Sequence, residues 1–135
     1  MHWFLVAMGG AVGATIRYGA YLWIETRISK SPETVITHLP GIAGTWFVNA
    51  IGCLLIGLIS GALGDKVFTD ERLRAFLIVG LFGGFTTMSA LGLESWNLLR
   101  DGQLLKGFSL SLVQTMLCVF MVGLGIWAGK FLKLS

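Results

Sequence analysis

The sequence predicts an all-α membrane protein of four transmembrane helices, and two observations carry that prediction. First, its 135 residues are 55% hydrophobic and only 13% charged, with a mean hydropathy of +0.79. A soluble domain stands near roughly 45–50% apolar and about 25% charged, so too few charges remain to coat a water-facing surface. Second, residues 3–24, 42–63, 73–99 and 104–132 each supply the roughly 20 apolar residues that a helix needs to cross a bilayer. They use most of the chain, so residues 1–135 read as one transmembrane domain in a cell membrane. The formal charge is +3, but the basic residues lie between the apolar runs and form no stripe, which excludes a nucleic-acid partner.

The first stretch, Trp3 to Ile24, is too long for a signal peptide and lacks its charged start and small-residue cleavage site. It carries Arg17, followed by Tyr18, Tyr21 and Trp23. That cluster suits an interfacial anchor with a snorkelling arginine, or a positive vestibule that concentrates anions. A connector from Glu25 to Pro40 holds both prolines, Pro32 and Pro40. The second span, Ile42 to Leu63, has one deep amide, Asn49. Such a group needs a partner in lipid, either across helices or, through its NH2, an anion.

The connector from Asp65 to Arg74 offers Thr69 or Asp70 as a cap for the third helix, with acids that complement its dipole. The third span, Leu73 to Leu99, would measure about 40 Å against a core of about 30 Å. Its middle, from Gly80 to Ser89, mixes glycine pairs with Thr86 and Thr87, which are poor helix formers side by side. A break near Gly83 to Thr87 relieves both problems. Freed carbonyls there can hold a cation, and half-helix amino ends can attract an anion. The alternative is an unbroken helix whose threonines bond back to their own turn. Glu94 is the one carboxylate well inside a span; it reaches the interface or takes a proton.

Arg100, Asp101 and Gly102 form a short stop in which Gly102 takes the left-handed cap. In the fourth span, Leu104 to Leu132, Ser111 and Thr115 share one face, and Gln114 and Cys118 share its neighbour. Such groups either line a path for a small dehydrated anion or bond their own helix.

Every span carries a G-x-x-x-G pair: Gly9 and Gly13, Gly57 and Gly61, Gly80 and Gly84, Gly125 and Gly129. In lipid such pairs let helix backbones approach closely, so tight packing is expected. With four spans both termini share a side, with Lys66, Arg72, Arg74, Lys130 and Lys133. The other side has Arg27, Lys30, Arg100 and Lys106, and Arg17 makes the two even. Orientation follows that bias, and a chain without it can insert both ways. The expected assembly is an antiparallel, dual-topology dimer with a path at its interface, a closed pair being the commonest oligomer.

Cys53 and Cys118 lie inside apolar stretches without metal spacing, and read as small buried hydrophobes. His2 and His38 fall outside the spans. The sequence has no Ser-His-Asp set, paired carboxylates or phosphate loop, so it is not read as an enzyme. A proton-coupled small multidrug exporter is also a four-span dimer, but it needs a carboxylate within the first span, and Met1 to Ile24 has none.

These residues resemble the CrcB/Fluc family of fluoride channels over essentially the whole chain. Gly9 to Tyr18 is similar to its G-G-x-x-G-A-x-x-R-[YW] opening, Val48 to Gly52 to its V-N-x-x-G, and Gly83 to Thr87 to its G-G-x-[ST]-T, with Glu94 at the family's spacing. The resemblance implies an antiparallel dimer with two fluoride pores and a central structural sodium ion. It assigns that ion to the backbone carbonyls of Gly83 and Thr86 from both subunits, Asn49 and Ser89 to the pore, and Arg17 to the vestibule. The family usually continues T-T-F-S-T-F, with two phenylalanines whose ring edges line the path. Here Met88 and Leu91 stand in their places, Ala90 replaces a threonine, and the fourth span offers Leu110, Gln114 and Cys118 at the polar positions. The resemblance therefore implies a passive fluoride exporter as a homodimer with Gln114 compensating. The alternative is a heterodimer with a paralogous subunit that supplies the rings, this chain being the non-conducting partner.

Overall fold

The computed structural model describes residues 2–28 and 39–132. Among these residues every regular element is helical. Helix α1 runs His2–Ile28 and α2 Leu39–Leu63. A short α3, Lys66–Thr69, sits in the following connector, which was expected to hold no helix of its own. The third long element is composite: α4 (Glu71–Leu73), a π-helical segment (Arg74–Phe82), α5 (Gly83–Phe85) and, after an interruption, α6 (Met88–Arg100). Helix α7, Leu104–Gly129, ends in a 3-10 turn, Lys130–Leu132.

Three segments are long and apolar enough to cross a membrane: Gly41–Leu63, Glu71–Arg100 and Leu104–Leu132. With its 27 residues α1 is long enough too, about 40 Å at 1.5 Å per residue, but Arg17, Tyr18 and Tyr21 make it less apolar than the others. Because α1 continues to Ile28, Glu25, Thr26 and Arg27 are helical and do not open the expected connector. Residues 29–38, with Lys30, Pro32 and His38, lie outside the described residues, as does Lys133.

The helix ends follow elementary capping. Asp70 caps the third element, its Oδ1 accepting from the N–H groups of Arg72 at 2.8 Å and Leu73 at 3.2 Å; of the two cap candidates, the structure uses this one. Gly102 turns the chain between α6 and α7 at φ 75°, backbone that an L side chain rarely adopts.

The glycine pairs make the helix contacts, and they mate. Gly9 and Gly13 of α1 face the π segment and α5, and a Cβ on either would run into the main chain of Gly80, Leu81 or Phe85. Gly80 and Gly84 return the contact against the main chain of Gly9, Gly10 and Ala14. Gly57 and Gly61 of α2 lie on Val122 and Ile126 of α7, and Gly125 and Gly129 lie on Leu54, Leu58 and Gly61. Backbones pack on backbones, which maximises dispersion and interhelical polar contact where lipid removes the hydrophobic driving force.

Burial differs from that of a soluble domain, although Val48, Phe82, Phe85 and Leu91 are buried. Trp3, Phe4, Phe108, Phe120, Trp127 and many other large apolar side chains stand exposed, suited to an apolar solvent. Thr45, Asn49, Thr87, Ser95 and Gln114 are buried. The polar interior of the described chain thus lies where α2, α6 and α7 meet.

Candidate functional site

The site is built on the interruption at Thr86 and Thr87, within the window where composition and length expected a break. Both residues adopt extended backbone, Thr86 at φ −83°, ψ 160° and Thr87 at φ −148°, ψ 120°. In an unbroken helix the Thr87 N–H would go to Gly83. Instead it donates to Asn49 Oδ1 at 2.8 Å, while Asn49 Nδ2 donates to the Thr87 carbonyl at 3.0 Å. One side-chain amide of α2 therefore satisfies both main-chain groups of the residue that breaks the helix. Thr87 also caps α6, its Oγ1 accepting from Ala90 N at 3.3 Å, and Thr86 Oγ1 bonds back to Phe82 at 2.8 Å. The break is affordable at membrane depth because each of these backbone groups finds a partner inside the protein.

The Thr86 carbonyl has its own donor: Arg17 Nη1 lies 3.1 Å away. The interfacial-anchor expectation for Arg17 is thus corrected. Its guanidinium turns inward to the break, where a freed carbonyl gains more from a charge-assisted bond than from facing lipid unpaired.

A cleft of about 250 Å³ opens beside the break, lined by Asn49, Cys53, Thr86, Thr87, Met88, Leu91, Gln114, Thr115 and Cys118. Of the anion-path candidates, the structure gathers Asn49, Met88, Leu91, Gln114 and Cys118 here. Leu91 is 2% exposed and walls the cleft, whereas Met88, 71% exposed, stands at its open edge. Ser89 is not brought in; it is exposed, with its Oγ 3.1 Å from Thr87 Oγ1. Asn49 has spent one of its two N–H groups on Thr87, and the other remains for the cleft. Gln114 is 1% exposed; its Nε2 makes a long 3.4 Å bond to the Thr45 carbonyl, and its Oε1 has no partner.

Behind the cleft runs a polar chain whose links the sequence did not show. Thr45, fully buried, donates to Glu94 Oε1 and lies 2.7 Å from the Tyr21 hydroxyl. The other carboxylate oxygen, Oε2, is buried without a partner. Glu94 thus turns its carboxylate toward α2 inside the helix bundle. Thr45 precedes Asn49 by one helical turn, and that spacing of two polar residues in an apolar span was the available signal. The bland reading holds for part of α7: Thr115 bonds the Ser111 carbonyl at 2.8 Å, and Ser111 pairs with Ser95 at 2.7 Å.

Among the described residues no three His, Cys, Asp or Glu side chains group to hold a metal. A resident cation would need backbone oxygens. The break provides them: Gly83 is exposed and has lost the Thr87 donor, and a carbonyl has a second lone pair beside Arg17 at Thr86. Neutral, hard oxygens of this kind fit an alkali cation.

The model of the family described as CrcB-like protein, camphor resistance, matches residues 4–126. The chain belongs to the CrcB-like family. A relative from Chloroflexus aurantiacus is 38% identical over 128 residues, covering 92% of this chain and 94% of that protein. One from Aquifex aeolicus is 38% identical over 132 residues, covering 96% and 97%, and one from Helicobacter pylori is 34% identical over 124 residues, covering 92% and 89%. Each of these relatives is named a fluoride-specific ion channel, FluC. As a CrcB-like chain with three helices able to cross a bilayer, this is a multi-pass membrane protein.

Proposed function

We propose that this CrcB-like chain forms a fluoride-selective channel that lets fluoride leave the cell passively, α1 supplying a fourth span and two oppositely inserted copies making the conducting dimer. The observation that carries the reading is the Asn49–Thr87 clamp, which holds a helix open beside a cleft whose largely apolar wall carries the amides of Asn49 and Gln114. Fluoride is small and strongly hydrated, so a narrow path must replace its water with donors and exclude chloride by width. The second N–H groups of Asn49 and Gln114 are neutral donors on the cleft wall. Neutral donors release an anion more readily than a fixed cation would, which suits passage over storage. Arg17, held at the Thr86 carbonyl, adds positive potential next to the break, and Ser89, on the exposed face, is a donor at the partner-facing mouth.

The near balance of basic residues between the two sides supports dual insertion, and the exposed Gly83 and Met88 support a second copy over the break. The Gly83 and Thr86 carbonyls of both copies would hold a structural sodium ion, supplying a fixed positive charge between them. Leu91 favours a second reading: it presents apolar bulk to the cleft where an aromatic edge would be electropositive, so a paralogous partner supplying rings fits this chain as half of a heterodimer. Flux from liposomes holding the purified chain alone tests both. Fluoride efflux without chloride efflux supports the homodimeric channel. No efflux alone, restored by a co-purifying paralogue, supports the heterodimer, and equal chloride flux removes the channel reading.

A further inference from the structure

The two cysteines are not the isolated buried hydrophobes that their sequence positions suggest. Helices α2 and α7 pack in register: Gly57 lies on Val122 and Gly61 on Ile126. One turn back along both helices stand Cys53 and Cys118. That register sets the two side chains next to each other across the contact; both are free and half-buried, and both line the cleft beside the break. One further turn back are Asn49 and Gln114 on the same wall.

We propose that Cys53 and Cys118 form a two-thiolate site for a soft, two-coordinate cation such as Cu+, Ag+ or Hg2+. Thiolate sulfur is the ligand of choice for such ions. The glycine-lined contact holds the two helices at fixed separation, so the pair is preorganised. The open cleft supplies the entry path, and no carboxylate or imidazole lines it to recruit a hard or borderline ion instead. Binding of Hg2+ forms two S–Hg bonds, breaks two S–H bonds and releases two protons to solvent, with no change of oxidation state. The site does not depend on whether the cleft conducts.

Mercuric ion with the purified full chain in detergent tests it. The chain has only two cysteines, so intact-mass counting of maleimide-reactive thiols is unambiguous. One equivalent of Hg2+ is expected to add one mercury to a single chain and leave neither thiol reactive. The variants Cys53→Ala and Cys118→Ala are expected to give up mercury to glutathione at a concentration at least tenfold lower than wild type does. One reactive thiol remaining at one equivalent, two mercury ions per chain, or a mercury bridging two chains would overturn the proposal. The wild-type thiol count decides the matter even where a variant fails to fold.

Discussion

Replacing Asn49 by alanine removes one side chain and strands two backbone groups. The Thr87 N–H loses its 2.8 Å acceptor and the Thr87 carbonyl its 3.0 Å donor. A buried group left without a partner costs about 1–3 kcal/mol, so the pair sets an upper range of about 2–6 kcal/mol. Interhelical polar contacts in membranes are weaker, averaging about 0.6 kcal/mol and reaching about 1.7, and the cleft admits water to Thr87. The expected loss for Asn49→Ala is therefore about 2 kcal/mol, near the foot of that range. Unfolding in mixed micelles, followed by tryptophan fluorescence, measures the free energies, and hydrogen exchange at the Thr87 amide reports the clamp itself. Asn49→Ala should speed exchange at Thr87 by at least tenfold. Unchanged exchange in the alanine variant would refute the claim that this amide holds the break open.

Three further outcomes are expected. Gly125→Ala places a Cβ 2.7 Å from the Leu58 N–H and should cost about 1–3 kcal/mol by overpacking; Gly123→Ala, two residues away in open space, should be neutral or gain up to about 1 kcal/mol from helix propensity, both read from micelle unfolding. A double-mutant cycle of Thr45→Val and Glu94→Gln should show a coupling of about 0.5–3 kcal/mol, whereas Thr45→Val paired with Ser109→Ala, at an exposed hydroxyl on α7, should be additive. Met88→Phe, at an exposed position, should fold like wild type and raise fluoride efflux from liposomes, while Leu91→Phe, in a wall that is 2% exposed, should lose about 1–3 kcal/mol to overpacking.

Much of this was legible in the sequence because lipid imposes few solutions. Four apolar runs and their glycine pairs foretold the long helices and their contacts, since close approach in a bilayer has few other sources than small residues. The length of the third run and its Gly-Gly-Phe-Thr-Thr core marked where a break would fall, to within a few residues, but left an unbroken helix equally open. What could not be read was partnership. Asn49 and Thr87 are 38 residues apart, and Arg17 and Thr86 are 69 apart; no local pattern announces which carbonyl a donor will find. Arg17 also sits among aromatic residues, which mimic an interfacial belt. The π-helical segment, Arg74–Phe82, had no signal either.

These missed pairings explain why the break sits where it does. A helix interrupted in hydrocarbon exposes N–H and C=O groups at several kcal/mol each, so the interruption is stable only where donors and acceptors already converge. Asn49 reaches Thr87 from α2 and Arg17 reaches Thr86 from α1, so two other helices are committed to two adjacent residues of the third. A continuous helix would need neither side chain and would leave both buried without partners. The polar residues and the break therefore require each other, and neither adds to packing in the way the glycine pairs do. An amide and a guanidinium from two other helices thus keep the third one open beside a cleft of about 250 Å³.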